Sequence, residues 1–166
     1  MIKIEDRVTD THVYFWGDPT LSNWGPAEFK YKDNHFWNSE QAFMWEKATC
    51  FSDFETAKEI LKTKNPREAK DLGRQVKNYN EETWAKYRYD AMREVCIAKF
   101  TQNPDRLETL LSTGDKTIVE ASPHDTVWGV GLHWTDEKIL DEKNWKGQNL
   151  LGKVLMDVRK LLRKNN

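Results

Sequence analysis

The distribution of apolar positions is clearest near the C-terminus, where leucine and valine recur at helical spacing between residues 150 and 162. Such a stripe is typical of a helix that packs one face on a core. Further helices are predicted after five polar residues that favour helix starts, namely Asn38, Ser52, Asn65, Asn80 and Asn103. Residues 12–16, 29–31, 35–37 and 117–121 read instead as short extended segments. The pattern predicts a mainly α, multihelical fold with a few short β-strands.

The length of 166 residues suits one domain, and no repeat or low-complexity tract interrupts it. We expect residues 1–12 to be an N-terminal tail and residues 13–166 to be the domain. The 26 basic and 27 acidic residues nearly balance, which argues against bulk attraction to DNA or to an anionic membrane.

Composition also bears on the expected compartment and on metals. Two cysteines, Cys50 and Cys96, lack the spacing of a disulfide framework or a zinc site, and the four histidines share no ligand spacing. The first residues lack the apolar segment of a signal peptide, and the longest apolar runs are only a few residues. We therefore expect a cytoplasmic protein without a metal site.

Residues 38–47 place a carboxylate and an amine on one face of a predicted helix. Asn38 is a natural N-cap, and Gln41 at the third helical position makes a variant of the capping box. Seven residues are nearly two turns, so Glu40 and Lys47 point the same way with Cα atoms about 10 Å apart. The pair suits acid–base or covalent chemistry. From the spacing alone, an exposed ion pair on a surface helix is the more common case.

The aromatic residues allow two interpretations. Most of the eight tryptophans stand among Gly, Asn, Pro or charged residues rather than in aliphatic stripes. This placement fits the walls of a site that stacks a nucleobase, and it fits equally a small core built from large rings. Trp84 and Arg88 share a helix face, which suits stacking or phosphate contact as well as plain packing.

Two loops carry further candidate residues. The loop at 120–131 contains Asp125, Trp128, Gly129 and Gly131. Its glycines would let backbone N–H groups approach a phosphate or a sugar, whereas the structural alternative is a tight turn around a buried tryptophan. Residues 145–152 lead into the last helix. One interpretation is that the N-terminus of this helix binds an anion, and the other is that the Asn149 side chain is an ordinary N-cap.

Several motifs follow one another in a fixed order along residues 13–162. They are residues 21–24, Trp37 with Ser39, Glu40 and Lys47, Gly73-Arg74, Trp84, Met92, Lys99-Phe100, residues 111–115, residues 120–122 with Asp125, residues 128–131, residues 147–152 and Arg159. Together they closely resemble the NADAR family, also called YbiA-like. Three positions depart from the family's usual residues: Trp24 stands for Phe, Gln41 for His and Met44 for Gln. The first keeps an aromatic wall, whereas the other two remove polar groups beside the expected site.

The resemblance implies a metal-independent N-glycosidase that uses no cofactor and cuts a bond between ribose C1 and a nitrogen. The implied reaction removes ADP-ribose from ADP-ribosylated guanine nucleotides or nucleic acid. An alternative is hydrolysis of ribosylaminopyrimidine phosphate intermediates of riboflavin biosynthesis. A non-catalytic module that binds ADP-ribose or a nucleotide is the alternative from another class, and retention of a reactive pair argues against it.

By the same resemblance, the catalytic residues are Glu40, Lys47 and Asp125. Cleavage builds positive charge on the sugar, so a carboxylate near C1 lowers the barrier. Lys47 is the candidate nucleophile, which requires a neutral amine and hence a pKa lowered by burial among Phe43, Trp37 and other rings. Glu40 would shuttle protons. Without an imine step, Glu40 and Asp125 become the leading pair, one as base toward water and one as stabiliser of the sugar cation.

The resemblance also implies a set of substrate-binding residues, which are Asn23, Trp24, Arg74, Trp84, Trp128, Gly129, Gly131 and Asn149. The two tryptophans Trp84 and Trp128 would border the base or the sugar, and the two asparagines would hydrogen-bond it. Arg74 and Arg159 are candidates for the diphosphate, although Arg159 suits a structural ion pair equally well.

Overall fold

The structure is a computed structural model that describes Ile4 and residues 6–165. Within these residues the strands are β1 (Arg7–Val8), β2 (His12–Phe15), β3 (Phe29–Tyr31), β4 (Asn34–Phe36) and β5 (Thr117–Glu120). The helices are α1 (Ser39–Cys50), α2 (Phe54–Lys62), α3 (Pro66–Gly73), α4 (Glu81–Thr101), α5 (Pro104–Ser112) and α6 (Leu150–Lys164). Two short 3₁₀ helices, Glu137–Leu140 and Glu142–Asn144, were not predicted. The predicted fold class, mainly α with a few short strands, is confirmed.

The chain divides into two compact units. Residues 23–103 form the central unit, which contains the hairpin β3–β4 and helices α1 to α4. The segments that end at Ser22 and begin at Pro104 form the flanking unit, which contains β1, β2, α5, β5 and α6. The candidate residues Glu40 and Lys47 belong to the first unit and Asp125 to the second.

The flanking unit is built on a three-stranded sheet in the order β1-β2-β5. β2 pairs antiparallel with β1 and parallel with β5, with Tyr14 opposite Val119. Both residues belong to a core with Ala121, Val130, Leu132 and Ile139. Helix α6 packs on β5 through the predicted apolar stripe. Strand β1 lies within the segment that we predicted as a tail, so the sheet extends into that segment.

The central unit surrounds helix α1, which packs against α2, α3 and α4. The hairpin β3–β4 pairs Phe29 with Phe36 and turns at Lys32 and Asp33, whose φ angles are 47° and 64°. Two positive φ values in a two-residue loop are those of a type I′ turn, which suits the twist of the strands. The turn therefore lies one residue earlier than the predicted Asp33-Asn34.

Three of the predicted helix caps are present in the structure, and the cap of α2 is shifted by one residue. Asn38, Asn65 and Asn80 each accept a hydrogen bond from a backbone N–H in the first turn of their helix. Helix α2 is capped by Asp53 rather than by the predicted Ser52, which has a φ of 56°. The Asp53 carboxylate also accepts from the Lys77 backbone N–H (2.9 Å), so it joins two segments of the central unit.

Gln41 joins the beginning of α1 to the end of α2. Its Oε1 accepts from the Trp37 backbone N–H (2.8 Å), and its Nε2 donates to the carbonyls of Ile60 (3.0 Å) and Thr63 (2.8 Å). The side chain is fully buried. Gln41 therefore holds the fold together, and our expectation that it changes the polar surface of the site is not supported.

Among the described residues, no helix combines the length and the apolar character needed to cross a membrane.

Candidate active site

Glu40 lies at the second position of α1 and is 8% exposed. Its backbone N–H donates to the carbonyl oxygen of Asn23 (3.0 Å), which fixes the start of the helix to the preceding segment. A carboxylate in the first turn of a helix is stabilised in its charged form by the helix dipole. The fold thus holds an acid, almost removed from water, at the N-terminal end of α1.

Lys47 lies two turns further along α1 and is half-buried. Loss of hydration on burial lowers the pKa of its amine, and the positive charge of Arg74 lowers that pKa further. The negative charges of Glu81 and, more weakly, Glu40 act in the opposite direction. Glu40 is therefore close enough to influence the amine, which supports the shared helix face that the spacing predicts.

One ring near the amine was not among those that we named from the sequence. Lys47 Nζ lies 4.7 Å from the centre of the Tyr79 ring. Trp37 instead packs against His35 (4.7 Å between ring centres) and against the Lys64 amine (3.9 Å).

Tyr79 belongs to a small polar group at the start of α4 that the sequence analysis missed. Its hydroxyl donates to Glu81, and the other oxygen of Glu81 accepts from Arg88 Nη1 (3.2 Å). The Tyr79 hydrogen bond and the Arg88 charge lower the pKa of Glu81. One signal was available, because Glu81 and Arg88 are seven residues apart, the same helical spacing as Glu40 and Lys47.

Trp84 has a packing role in the structure. Only 5% of it is exposed, and its ring contacts Phe43, Tyr87 and Phe51 at centre-to-centre distances of 5.2, 6.0 and 6.4 Å. The structure therefore favours the packing interpretation over base stacking, because little of the ring face remains for a ligand.

The remaining candidates of the central unit are more accessible or have unused polar atoms. Trp24 is 39% exposed, with the charged groups of Arg67 and Lys70 at 5.8 and 5.9 Å from its ring centre. Arg74 is exposed at the end of α3 and forms an ion pair with Asp71 (3.3 Å). Asn23 Nδ2 donates to the sulfur of Met92 (3.5 Å), while its buried Oδ1 has no hydrogen-bond partner among the described residues.

In the flanking unit, Asp125 organises the predicted loop. Its Oδ1 accepts from the backbone N–H groups of Val127 (2.9 Å) and Trp128 (2.8 Å), which is an Asx turn. The side chain is half-exposed. One carboxylate oxygen thus shapes the loop, and within the described part of the chain Oδ2 makes no hydrogen bond.

The two glycines of this loop are required by the fold itself. A Cβ at Gly129 would lie 2.9 Å from the Glu120 carbonyl oxygen and 3.0 Å from that of Asp125. Gly131 has a φ of 73°, which side chains rarely adopt. The structure therefore accounts for both residues by the tight turn, the alternative to close approach of a ligand.

Asn149 and Arg159 are structural residues. Asn149 Oδ1 accepts from the Glu120 N–H (3.0 Å), and Nδ2 donates to the Ile118 carbonyl (2.9 Å), so the amide clamps β5. Asn149 occupies the cap position of α6 without capping it through its side chain, contrary to our expectation. Arg159 is 7% exposed and donates to Thr113 Oγ1 (2.9 Å) and the Lys116 carbonyl (2.8 Å), which favours the structural role over contact with a diphosphate.

In the part of the chain that the structure describes, no three His, Cys, Asp or Glu side chains gather in a way that could hold a metal ion.

Comparison with known proteins matches residues 14–163 to the NADAR domain. N-glycosidase R617 of Acanthamoeba polyphaga mimivirus is 40% identical over 163 residues, which cover 91% of this chain and 96% of that protein. Protein irg-1 of Caenorhabditis elegans is 42% identical over 95% of this chain and 82% of its own length. The NMR structure of the E. coli protein YbiA has a TM-score of 0.78 at 27% identity, with 99% of this chain and 92% of that chain covered. The chain therefore belongs to the NADAR domain family.

Proposed function

We propose that this protein is an N-glycosidase that hydrolyses a ribose C1–N bond and removes ADP-ribose from ADP-ribosylated guanine nucleotides or nucleic acid. The observation that carries the proposal is the half-buried Lys47 amine, whose pKa is lowered by loss of hydration, on the same helix as the buried carboxylate of Glu40. Relatives named N-glycosidase, among them the mimivirus protein at 40% identity, support the reaction class.

In the proposed reaction, Lys47 Nζ attacks the anomeric carbon C1 of the ribose and forms a C–N bond. The bond from C1 to the guanine nitrogen breaks, and the base leaves with the bonding electrons and takes up a proton. Nζ then loses one proton, and the sugar ring opens as its ring oxygen takes up the second, which leaves an imine between Lys47 and C1. Water adds to the imine carbon, and the amine is then expelled, which releases ADP-ribose and restores Lys47.

Glu40 suits the role of proton carrier in this sequence. An attacking amine must be neutral, and the Glu40 charge by itself favours the ammonium form. Transfer of the lysine proton to Glu40 removes both charges, and Glu40 can then protonate the departing base. The low exposure of the carboxylate supports this transfer. Little water stabilises its negative charge, and uptake of the lysine proton removes that charge.

We assign Asp125 the role of stabilising positive charge on the sugar, on the strength of the family resemblance and of its Oδ2, which accepts no hydrogen bond from the described residues. Asn23 Oδ1 suits a hydrogen bond from a donor group of the substrate. Trp24 and Trp128 suit stacking on a flat ring, and Arg74 suits an ion pair with a phosphate. Gly129, Gly131 and Asn149 support these residues by shaping the loop and the start of α6 rather than by touching the substrate.

A ribosylaminopyrimidine phosphate is the second candidate substrate. One observation favours it: a relative named Riboflavin biosynthesis protein VVA0006, from Vibrio vulnificus, is 25% identical over 98% of this chain and 41% of that protein. Both substrates contain the same ribose C1–N linkage, so the same residues would serve either reaction.

The test is to incubate the protein with guanosine-linked ADP-ribose and, separately, with the aminopyrimidine ribosyl phosphate, and to measure the released guanosine or aminopyrimidine by mass spectrometry. We expect guanosine from the first substrate, and none with Lys47→Arg. A Lys62→Arg variant, which changes an exposed lysine of α2, serves as the matched control. Release from the second substrate alone would establish the riboflavin-type alternative, and tight binding without product would establish a binding module.

A further inference from the structure

We propose that Tyr79, Glu81 and Arg88 form a positioning group for the Lys47 amine, in which the Tyr79 ring holds the amine and Glu81, anchored by Arg88, holds the ring. The catalytic consequence rests on the proposed function, because it assumes that Lys47 reacts. The geometric part does not, because it concerns only where the amine is held and how readily it loses its proton.

The Tyr79 ring lies between the Lys47 amine and Phe51. Its centre lies 4.7 Å from Lys47 Nζ, within the range of a cation–π contact. The ring also packs edge-on against Phe51, with 5.5 Å between ring centres. Tyr79 is 43% exposed, so one part of the ring meets solvent while the rest is held between the amine and Phe51. The Tyr79 ring is therefore held in place beside the amine and is still partly exposed to solvent.

A chain of hydrogen bonds fixes the Tyr79 ring. The Tyr79 hydroxyl donates to Glu81, and Arg88 Nη1 donates to the other Glu81 oxygen at 3.2 Å. Glu81 is the first residue of α4, where the helix dipole also favours a carboxylate. Arg88 is well buried, with a side-chain exposure of 13%, and it anchors the group to the body of α4.

Charges on three helices influence the Lys47 amine. The charged or polar groups that act on Lys47 are Glu81 and Tyr79 at the start of α4, Arg74 at the end of α3, and Glu40 on α1 itself. Glu81 has a larger effect than Glu40. The ring and Glu81 favour the ammonium, whereas burial and Arg74 favour the neutral amine. The positioning group therefore holds Lys47 in place and favours its charged form, in opposition to the larger effect of burial.

The test measures Lys47 directly and needs no substrate. A limiting amount of an amine-reactive acylating reagent is added to the folded protein between pH 6 and pH 10, and acylation of the Lys47 peptide is followed by mass spectrometry. Only the neutral amine reacts, so the rate reports the neutral fraction of Lys47. In the Glu81→Gln variant we expect the reagent to acylate Lys47 about threefold faster at pH 7 than in the parent protein. The substitution removes a negative charge that favours the ammonium form of Lys47.

Glu82→Gln is the matched control, because Glu82 stands next to Glu81 in the first turn and faces Lys86 instead, at 3.6 Å. This variant should leave the Lys47 rate unchanged. If Glu81→Gln and Glu82→Gln give the same Lys47 rate as the parent protein, the proposal is wrong.

A second pair of variants examines the ring. Tyr79→Phe keeps the aromatic face and removes the hydroxyl, whereas Tyr79→Leu removes both. We expect acylation of Lys47 to rise more in Tyr79→Leu than in Tyr79→Phe, and equal rates in the two variants and the parent would overturn the role of the ring. If the protein cleaves neither substrate but these rates change as expected, the positioning group stands and the proposed function fails.

Discussion

At the scale of the single residue, the reactivity of Lys47 results from opposing influences. Loss of hydration and the Arg74 charge lower its pKa, and the Glu81 and Glu40 charges raise it. Loss of hydration is the largest of these, so the net direction is toward a neutral amine. The sequence showed the position of Lys47 in its helix. It did not show that Tyr79 and Glu81 lie near the Lys47 amine, because only the path of the chain between α3 and α4 brings them there.

This balance predicts how the rate depends on pH. A lowered pKa means that the neutral amine becomes abundant at a lower pH than for an ordinary lysine, whose pKa is about 10.4. We expect kcat/KM to rise with pH up to a midpoint below that value. Arg74→Gln should move the midpoint upward, because it removes a positive charge that disfavours the ammonium. A rate that falls from pH 6 to pH 9 would contradict the assignment of Lys47 as a neutral nucleophile.

At the scale of the element, side-chain amides fasten helices to neighbouring segments in ways that the sequence predicted only in part. Asn38, Asn65 and Asn80 were identifiable as caps because capping is a local interaction within a few residues. The partners of Asn149 lie about thirty residues away on β5, and no local pattern reveals them. The same applies to Gln41, whose partners at the end of α2 depend on how two helices pack.

The clamp formed by Asn149 predicts a loss of stability on substitution. Asn149→Gly keeps the positive φ of 53° accessible but leaves two buried backbone groups of β5 without partners. We expect it to lower the free energy of unfolding by about 2–4 kcal/mol, measured by urea denaturation. Asn149→Ala should cost more, because it adds backbone strain. Asn144→Gly, at an exposed asparagine of the same unit, is the control, and an equal effect there would contradict the clamp.

Gln41 supports a parallel prediction in the central unit. Gln41→Met has a similar volume but removes the hydrogen bonds to Trp37, Ile60 and Thr63. We expect the free energy of unfolding to fall by about 2–3 kcal/mol, since buried groups lose their partners. Gln75→Met changes an exposed glutamine after α3 and should be nearly neutral. A stable Gln41→Met protein with altered substrate choice would instead place Gln41 at the ligand.

At the scale of the whole molecule, the proposed residues come from two compact units, with Glu40 and Lys47 in one and Asp125 in the other. The sequence predicted the fold class, most helix boundaries and the family, because these depend on periodicity, caps and the order of motifs. For Trp84, Asn149 and Arg159 the sequence left a ligand contact and a structural role open, and the structure shows packing or internal hydrogen bonds at all three. Large aromatic and long polar side chains serve in ligand contacts as well as in packing and internal hydrogen bonds. Only their burial in the structure distinguishes these roles.

Binding and catalysis can be separated in the whole protein. If Lys47 acts only in the covalent step, Lys47→Arg should still bind ADP-ribose and be stabilised by it. We expect about 2.7 kcal/mol of stabilisation at a ligand concentration one hundred times Kd, measured by thermal denaturation, as for the parent protein. Loss of this stabilisation in Lys47→Arg would show that Lys47 binds the product rather than attacks the substrate.

The most direct test of the central claim is to trap the imine. The protein is mixed with guanosine-linked ADP-ribose and sodium borohydride, digested, and analysed by mass spectrometry for a reduced adduct. We expect an adduct on the peptide that contains Lys47, and none there in Lys47→Arg. Turnover of the substrate without any adduct on Lys47 would rule out the imine and leave Glu40 and Asp125 as the catalytic pair.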